Sequence, residues 1–165
     1  MSKEISYASG TSNKPLLGDT IGNKFDEIAS KYPEREAIVS IHQNIRFTYD
    51  ELAKEVNTLA KALISSGFKK GERVGIWSSN NVEWLLTQYA AAKSGVILVT
   101  INPAYRSHEL DYVLGQSGCK GLILQNQFKT SDYESMISEI CPEINEVNPG
   151  ELKSNKFENL TTIIS

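Results

Sequence analysis

Cysteine is scarce in this sequence, and its placement excludes several kinds of site. Only two cysteines occur in 165 residues, Cys119 and Cys141, and neither belongs to a CxxC pair. A disulfide framework or a structural zinc site needs more cysteine or histidine ligands at characteristic spacings. Each cysteine is therefore predicted to be a reduced, partly buried thiol.

Long apolar segments are also missing. The longest apolar run, Val96–Ile101, has the length of a strand, whereas a membrane-spanning helix needs about 20 residues. The first fifteen residues lack the apolar stretch of a secretory signal, and they contain Glu4 and no Arg, which fits a mitochondrial presequence poorly. No clear targeting segment is visible, and a cytoplasmic location is expected on this criterion alone.

The net charge is small, and the common catalytic motifs are missing. A formal charge of -3 gives no long-range attraction to nucleic acid or to an anionic membrane. No HExxH, Walker A or GxGxxG motif occurs, and His42 and His108 share no metal-ligand spacing with each other or with the cysteines. Both histidines are predicted to be exposed, and no catalytic, cofactor-binding or metal-binding residue is assigned from residue chemistry.

The first part of the chain predicts two helices with a hairpin between them. Apolar residues recur at helical spacing from Ile21 to Tyr32, and the extended runs Ala37–Ile41 and Ile45–Phe47 predict a hairpin with a three-residue loop. Thr48 and Glu51 form a capping box at the start of the second helix. The apolar stripe of that helix is Leu52, Val56, Leu59, Ala60, Leu63 and Ile64.

Strand and helix patterns then alternate, which defines the predicted fold class. The strands are predicted at Arg73–Trp77, Val96–Ile101, Gly121–Leu124 and Leu160–Ile164, and the residues predicted to cap the intervening helices are Asn80, Ser107 and Ser131. Repeated strand–helix–strand steps predict parallel pairing with right-handed crossovers. The β-branched run Val96–Ile101 is typical of a strand covered on both faces.

The predicted architecture is therefore α/β: a partial doubly wound parallel sheet with flanking helices, plus a short N-terminal hairpin. Residues 1–18 are predicted to form a flexible arm, and residues 19–165 an incomplete α/β domain.

Two loops are the best-placed candidates for ligand binding. Ser78–Asn81 and Asn102–Arg106 follow predicted parallel strands, and open α/β sheets bind ligands at that edge. Each loop also leads into a helix N-terminus, which favours anions. The alternative is that Ser79, Asn80 and Ser107 only cap helices. The segment Ser9–Pro15 superficially resembles a phosphate loop, but no strand precedes it and it contains one glycine, so a flexible arm is favoured.

Several segments together resemble the adenylate-forming (AMP-binding) acyl-CoA synthetases. The segments that carry this resemblance are Thr48–Leu52, Gly67–Val74, Ala92–Val96, Asn102–Tyr105 and Glu109–Leu114. Others are similar to the medium-chain branch known as acyl-CoA synthetase family member 2, namely Ser9–Leu17, Pro33–Ala37, Gln127–Thr130, Ile140–Glu143 and Leu160–Ser165. The resemblance implies that the chain is the N-terminal part of the large domain of such an enzyme.

The resemblance also implies a reaction for the full-length enzyme. A fatty acid and ATP would form an acyl-adenylate and pyrophosphate, and the CoA thiol would then displace AMP, with Mg²⁺ at the phosphates. The family's phosphate loop, its adenine- and ribose-binding motifs and its catalytic lysine have no counterpart here. The chain alone is therefore predicted to be inactive and to hold no cofactor. Family resemblance also implies a mitochondrial location.

Two alternative functions remain open on the sequence. The chain could be a stand-alone interaction module that docks on a full-length synthetase through an open sheet edge. It could also be an unrelated flavodoxin-like nucleotide binder that uses Ser78–Asn81 and Asn102–Arg106.

Overall fold

The computed structural model describes residue 10, residues 13–148 and residues 150–165. Most of the predicted arm, residues 1–18, lies outside these ranges. So do Ser9, Thr11 and Ser12 of the segment Ser9–Pro15, which superficially resembles a phosphate loop. The helices are α1 (Ile21–Lys31), α2 (Tyr49–Ser65), α3 (Val82–Ser94), α4 (Ser107–Ser117) and α5 (Tyr133–Ile140). The strands are β1 (Glu36–Ser40), β2 (Ile45–Thr48), β3 (Arg73–Trp77), β4 (Ile97–Ile101), β5 (Gly121–Leu124), β6 (Gln127–Phe128), β7 (Ser131–Asp132) and β8 (Thr162–Ile164).

Helix α2 begins and ends as its sequence dictates. The Thr48 hydroxyl accepts a hydrogen bond from the Glu51 N–H at 3.3 Å, and the Glu51 carboxylate accepts one from the Thr48 N–H at 2.8 Å. The predicted capping box is thus confirmed. Past the last turn, Gly67 takes a φ of 86°, a conformation that costs glycine little. The predicted apolar stripe is correct except at Ile64, which is 57% exposed.

The central sheet has four parallel strands in the order β4-β3-β5-β8. Strand β3 lies between β4 and β5, with Val74 opposite both Leu98 and Gly121. The predicted parallel pairing is therefore confirmed. One prediction about it was wrong: β4 lies at the edge of the described sheet, and Ile97 is 47% exposed. Its β-branched residues reflect the extended backbone and not coverage of both faces.

Helices cover both faces of the sheet, as a doubly wound fold requires. Alternate residues of β5 point in opposite directions, so that Leu122 packs with α4 and α5 while Ile123 packs with α2 and α3. The larger cluster includes Trp77, Leu110, Leu114, Leu122, Leu124, Tyr133 and Ile137. The predicted α/β fold class is thus confirmed. Among the described residues, no helix has both the length and the hydropathy needed to cross a membrane.

The hairpin β1–β2 is present, but its loop is longer than predicted. Ile45 pairs with Ser40, so the loop comprises residues 41–44, and Ile41 belongs to it. The Asn44 N–H donates to the Ile41 carbonyl at 3.1 Å, and Asn44 takes a φ of 53°. Asparagine tolerates this left-handed conformation better than most residues, which explains the four-residue turn.

The predicted helix caps were placed one residue away from the observed ones. The N-caps are Asn81, Arg106 and Asp132, in place of Asn80, Ser107 and Ser131. The Asp132 carboxylate accepts a hydrogen bond from the Ser135 N–H at 3.0 Å. Ser131 belongs instead to the short strand β7, where it pairs with Phe128 of β6. Polar residues cluster around each helix start, so residue type alone could not identify the capping member.

Candidate functional site

The crevice in which an open α/β sheet would bind a ligand lies between β3 and β5. Strand β4 follows β3 in the chain and pairs with one side of it. The chain then crosses back, and β5 pairs with the other side of β3. Ligands of such folds bind where the strand order reverses in this way, outside the carboxyl ends of the strands. The residues that meet there are Ser78 and Ser79 after β3 and Gln125 after β5.

The Gln125 side chain lies in this crevice and occupies the hydrogen-bond donors that meet there. Its Oε1 accepts hydrogen bonds from the Ser78 hydroxyl at 2.9 Å, the Ser79 N–H at 2.9 Å and the Ser79 hydroxyl at 2.8 Å. Its Nε2 donates to the Gln127 carbonyl, and Ser78 is only 5% exposed. Donors that could otherwise hold a phosphate are therefore directed at a side chain of the same protein.

The N-terminus of α3 is occupied in the same manner. The Val82 N–H donates to Gln43 Oε1 at 2.8 Å, and the Trp84 N–H donates to Asn81 Oδ1 at 2.8 Å. Gln43 belongs to the β1–β2 turn, and its Nε2 also donates to the Glu83 carboxylate at 2.8 Å. The hairpin thus supplies a side chain that satisfies the first turn of α3, so the predicted anion-binding end of this helix makes internal contacts instead.

The second predicted loop, Asn102–Arg106, follows the edge strand β4 and not a strand at the reversal. Asn102 accepts from the Ala104 N–H at 2.9 Å through its side chain and from the Trp77 indole N–H at 3.2 Å through its carbonyl. The Tyr133 hydroxyl donates to the Pro103 carbonyl at 2.5 Å. The two predicted loops therefore leave the same edge of the sheet from the neighbouring strands β3 and β4. The second loop is tied to the aromatic core through Trp77 and Tyr133.

Tyr133 is the most perturbed titratable group near this edge. It is fully buried and stacks on Trp77 with ring centroids 3.6 Å apart. Burial raises the pKa of Tyr133 to about 12, and the Arg106 charge opposes this only in part. The hydroxyl is therefore protonated at neutral pH and acts as a hydrogen-bond donor, which makes it a structural group and not a general base.

At this edge of the sheet, donors that could hold a nucleotide phosphate bond instead to Gln125, Gln43 and Asn81. Within the described ranges, no group of three or more His, Cys, Asp or Glu side chains is arranged to hold a metal ion. His42 and His108 are exposed, as predicted, and Cys119 and Cys141 are free and buried. Desolvation raises the pKa of both thiols, so neither is an activated nucleophile at neutral pH.

Sequence reasoning missed Gln43 and Gln125, the side chains that organise the carboxyl edge. Gln125 lies 46 residues from Ser79, and Gln43 lies 39 residues from Val82. A polar residue directly after a buried strand was the available signal for Gln125, and a glutamine in a hairpin loop was the signal for Gln43. Neither signal identifies the partner.

Replacing Gln125 by alanine should destabilise the chain by about 1–3 kcal/mol, because the buried Ser78 hydroxyl and the partly buried Ser79 donors lose their acceptor. Urea unfolding followed by circular dichroism would measure the change. The exposed neighbour Gln127 provides a control, since its alanine variant should stay within about 0.5 kcal/mol of the parent. Equal effects of the two substitutions would show that the Gln125 contacts contribute little.

Comparison with known sequences supports the resemblance. Residues 25–160 match the model of the family described as AMP-binding enzyme. The chain is 44% identical over 161 residues to "Medium-chain acyl-CoA ligase ACSF2, mitochondrial" of Mus musculus, a match that covers 98% of this chain and 26% of that protein. It is 41% identical over 149 residues to "Putative acyl-CoA synthetase YngI" of Bacillus subtilis, covering 90% and 27% respectively. The chain thus spans about a quarter of the curated relatives it matches.

Solved structures show the same architecture. The N-terminal domain of FACL13 from Mycobacterium tuberculosis superposes with a TM-score of 0.71 at 25% identity, over 88% of this chain and 33% of that one. A Mycobacterium tuberculosis fatty acyl CoA synthetase gives a TM-score of 0.69 at 26% identity, over 88% and 26%. The sheet order, the family match across most of the chain and these relatives together establish that the chain belongs to the AMP-binding enzyme family.

Proposed function

We propose that this chain is the N-terminal part of a medium-chain fatty acid–CoA ligase and is catalytically inactive alone. The observation that carries the proposal is the identity of 44% to a medium-chain acyl-CoA ligase across 98% of the chain, with only 26% of that protein covered. The full-length enzyme would join a fatty acid to CoA through an acyl-adenylate made from ATP. Fatty acid, ATP and CoA are its proposed substrates, and Mg²⁺ its proposed cofactor.

Within that enzyme the chain would contribute a scaffold. Its parallel strands fix the carboxyl edge of the sheet, Gln125 holds the loop after β3, and Gln43 holds the first turn of α3. A rigid edge of this kind can position catalytic residues that other segments supply. Because the donors at this edge bond to Gln125 and Gln43, no step of the reaction is assigned to the described residues.

The proposal is tested by medium-chain fatty-acid-dependent exchange of labelled pyrophosphate into ATP. We expect the purified chain to show no exchange above a blank without protein, because adenylate formation needs a phosphate cradle that these residues do not form. The full-length human relative, "Medium-chain acyl-CoA ligase ACSF2, mitochondrial", serves as the positive control. Exchange by the chain alone would overturn the proposal of inactivity.

Location is proposed on the same basis. The printed names of the mouse and human relatives include the mitochondrion, and we propose that location for a ligase that contains this chain. The proposed location is tested by imaging a C-terminally tagged ligase that contains this chain together with a mitochondrial marker. Diffuse fluorescence of the tagged ligase would contradict the proposal.

A further inference from the structure

A short irregular segment, residues 151–155, lies against the C-terminal end of α5, and we call it the strap. It belongs to no helix or strand of the described structure. Leu152 is 6% exposed and packs in the larger apolar cluster, whereas the other strap residues are exposed or only partly buried. Cys141, directly after α5, is fully buried, and the Ser154 hydroxyl is within hydrogen-bonding reach of its sulfur. The strap therefore shields this thiol.

A carboxylate joins the strap to the short 3₁₀ turn Pro142–Asn145 that follows α5. Glu143 Oε1 accepts a hydrogen bond from the Asn155 backbone N–H at 2.9 Å, across 12 residues of sequence. This bond holds the pKa of Glu143 below its usual range, so the carboxylate is ionised at neutral pH. It closes the strap at its C-terminal end.

The second oxygen of the same carboxylate favours opening. Within the part of the chain that the structure describes, Glu143 Oε2 is buried and has no hydrogen-bond partner. A buried oxygen of this kind disfavours the closed form, because it has lost water and gained no donor. Opening the strap would hydrate Oε2 and so offset part of the loss of the Asn155 hydrogen bond.

The chain after the strap is held more firmly. Phe157 is 5% exposed and packs in the larger cluster, and Lys156 pairs with Asp111 of α4 at 2.7 Å. Phe157 and the other buried thiol, Cys119, line the same small cavity. If Phe157 stays in place, opening of the strap uncovers Cys141 and leaves Cys119 covered.

We infer that the strap opens as a unit while α5 and the sheet stay folded, and that the Glu143–Asn155 hydrogen bond sets how often it opens. Segments with few buried contacts open at a lower free energy than the core, and Leu152 is the strap's single buried side chain. The strap thus controls access to Cys141, which small thiol reagents reach only in the open form. This device is separate from the proposed ligase reaction.

The parent chain itself provides the first test. N-ethylmaleimide labelling, mapped by peptide mass, measures access to each thiol over a series of urea concentrations. We expect Cys141 to be labelled at least about tenfold faster than Cys119 without urea. The rate at Cys141 should change little at low urea, because local opening exposes little surface. Equal rates with equal urea dependence would overturn the inference, since both thiols would then be reached only by global unfolding.

A matched pair of variants provides the second test, with hydrogen exchange read by mass spectrometry. Glu143→Ala removes the acceptor of the Asn155 N–H and should speed exchange of the strap amides about tenfold, while the amides of α5 and β5 keep their parent rates. Glu146→Ala removes an exposed carboxylate three residues further on and should change neither set.

Because Glu143 adds to the rise that burial causes in the pKa of Cys141, the strap amides and not the labelling rate decide the outcome for this variant. Unchanged strap exchange in Glu143→Ala, or equal acceleration in the strap and the sheet, would overturn the inference. If Glu143→Ala does not fold, the comparison of the two thiols in the parent chain still decides. Neither measurement uses ATP or fatty acid, so its outcome is separate from that of the pyrophosphate exchange assay.

Discussion

Replacing Trp77 by alanine is expected to lower the free energy of unfolding by about 3–5 kcal/mol, the usual cost of truncating a buried aromatic residue. Trp77 is fully buried, stacks on Tyr133 with an interplanar angle of 8°, and donates its indole N–H to the Asn102 carbonyl at 3.2 Å. The substitution removes all of these contacts and leaves a cavity between the sheet and α5. Domains are stable by only about 5–15 kcal/mol, so a large part of that margin would be lost.

Urea unfolding followed by far-ultraviolet circular dichroism measures this effect without relying on tryptophan fluorescence. Trp84 provides a matched control because it is only half-buried, and its alanine variant should lose clearly less stability. Tyr133→Phe separates the ring stack from the hydroxyl, and loss of one hydrogen bond to Pro103 should cost about 0.5–1.5 kcal/mol. A Trp77 variant no less stable than the Trp84 variant would contradict the role given to the stack.

Gly121→Ala is expected to destabilise the chain by about 1–3 kcal/mol through overpacking. A Cβ at this position would overlap Phe68 Cζ and would lie 3.2 Å from Phe68 Cε1 and 3.4 Å from the Thr162 carbonyl oxygen. The ring of Phe68 is only 4% exposed, so it cannot swing into solvent. The added methyl group therefore forces either the ring or the pairing of β5 with β8 to shift.

Two further variants separate this clash from a general effect of glycine replacement. Gly115 lies on the exposed surface of α4 with open space around its Cα, so Gly115→Ala should raise stability by about 0.5–1 kcal/mol. Adding Phe68→Leu to Gly121→Ala should restore part of the loss, because the smaller side chain makes room for the methyl group. If the double variant loses the sum of the two single effects, Phe68 is not the source of the strain.

The parts of the fold that the sequence could predict are those governed by local periodicity. Helix α2 was predictable because its apolar stripe and its capping box lie within neighbouring turns. Strands β3 and β5 were predictable because each is a short apolar run that lies between two segments with helical periodicity. Parallel pairing followed from the alternation of strands and helices, since consecutive parallel strands need a crossover.

The errors arose where distant residues decide the structure. Whether a strand lies at the centre or the edge depends on its partners, so Val96–Ile101 was wrongly predicted to be covered on both faces. The two-residue strands β6 and β7 have no periodicity to detect. At the candidate site, Ser78 and Ser79 were correctly placed at the carboxyl edge, but the acceptor that occupies them comes from Gln125, 46 residues from Ser79. No local pattern carries that information.

The strand order has a consequence for the kinetics of folding. The central strand β3 meets β5 across long intervals of sequence, as the contact between Ser78 and Gln125 over 47 residues illustrates, and β8 reaches β5 across a separation of 41 residues between Thr161 and Lys120. Closing such loops costs entropy before any pairing offsets it. The helices, whose contacts are local, can therefore form well before the sheet. During that interval the backbones of β3 and β5 are unpaired and their apolar side chains are exposed. A chaperone would meet these strands as extended apolar segments.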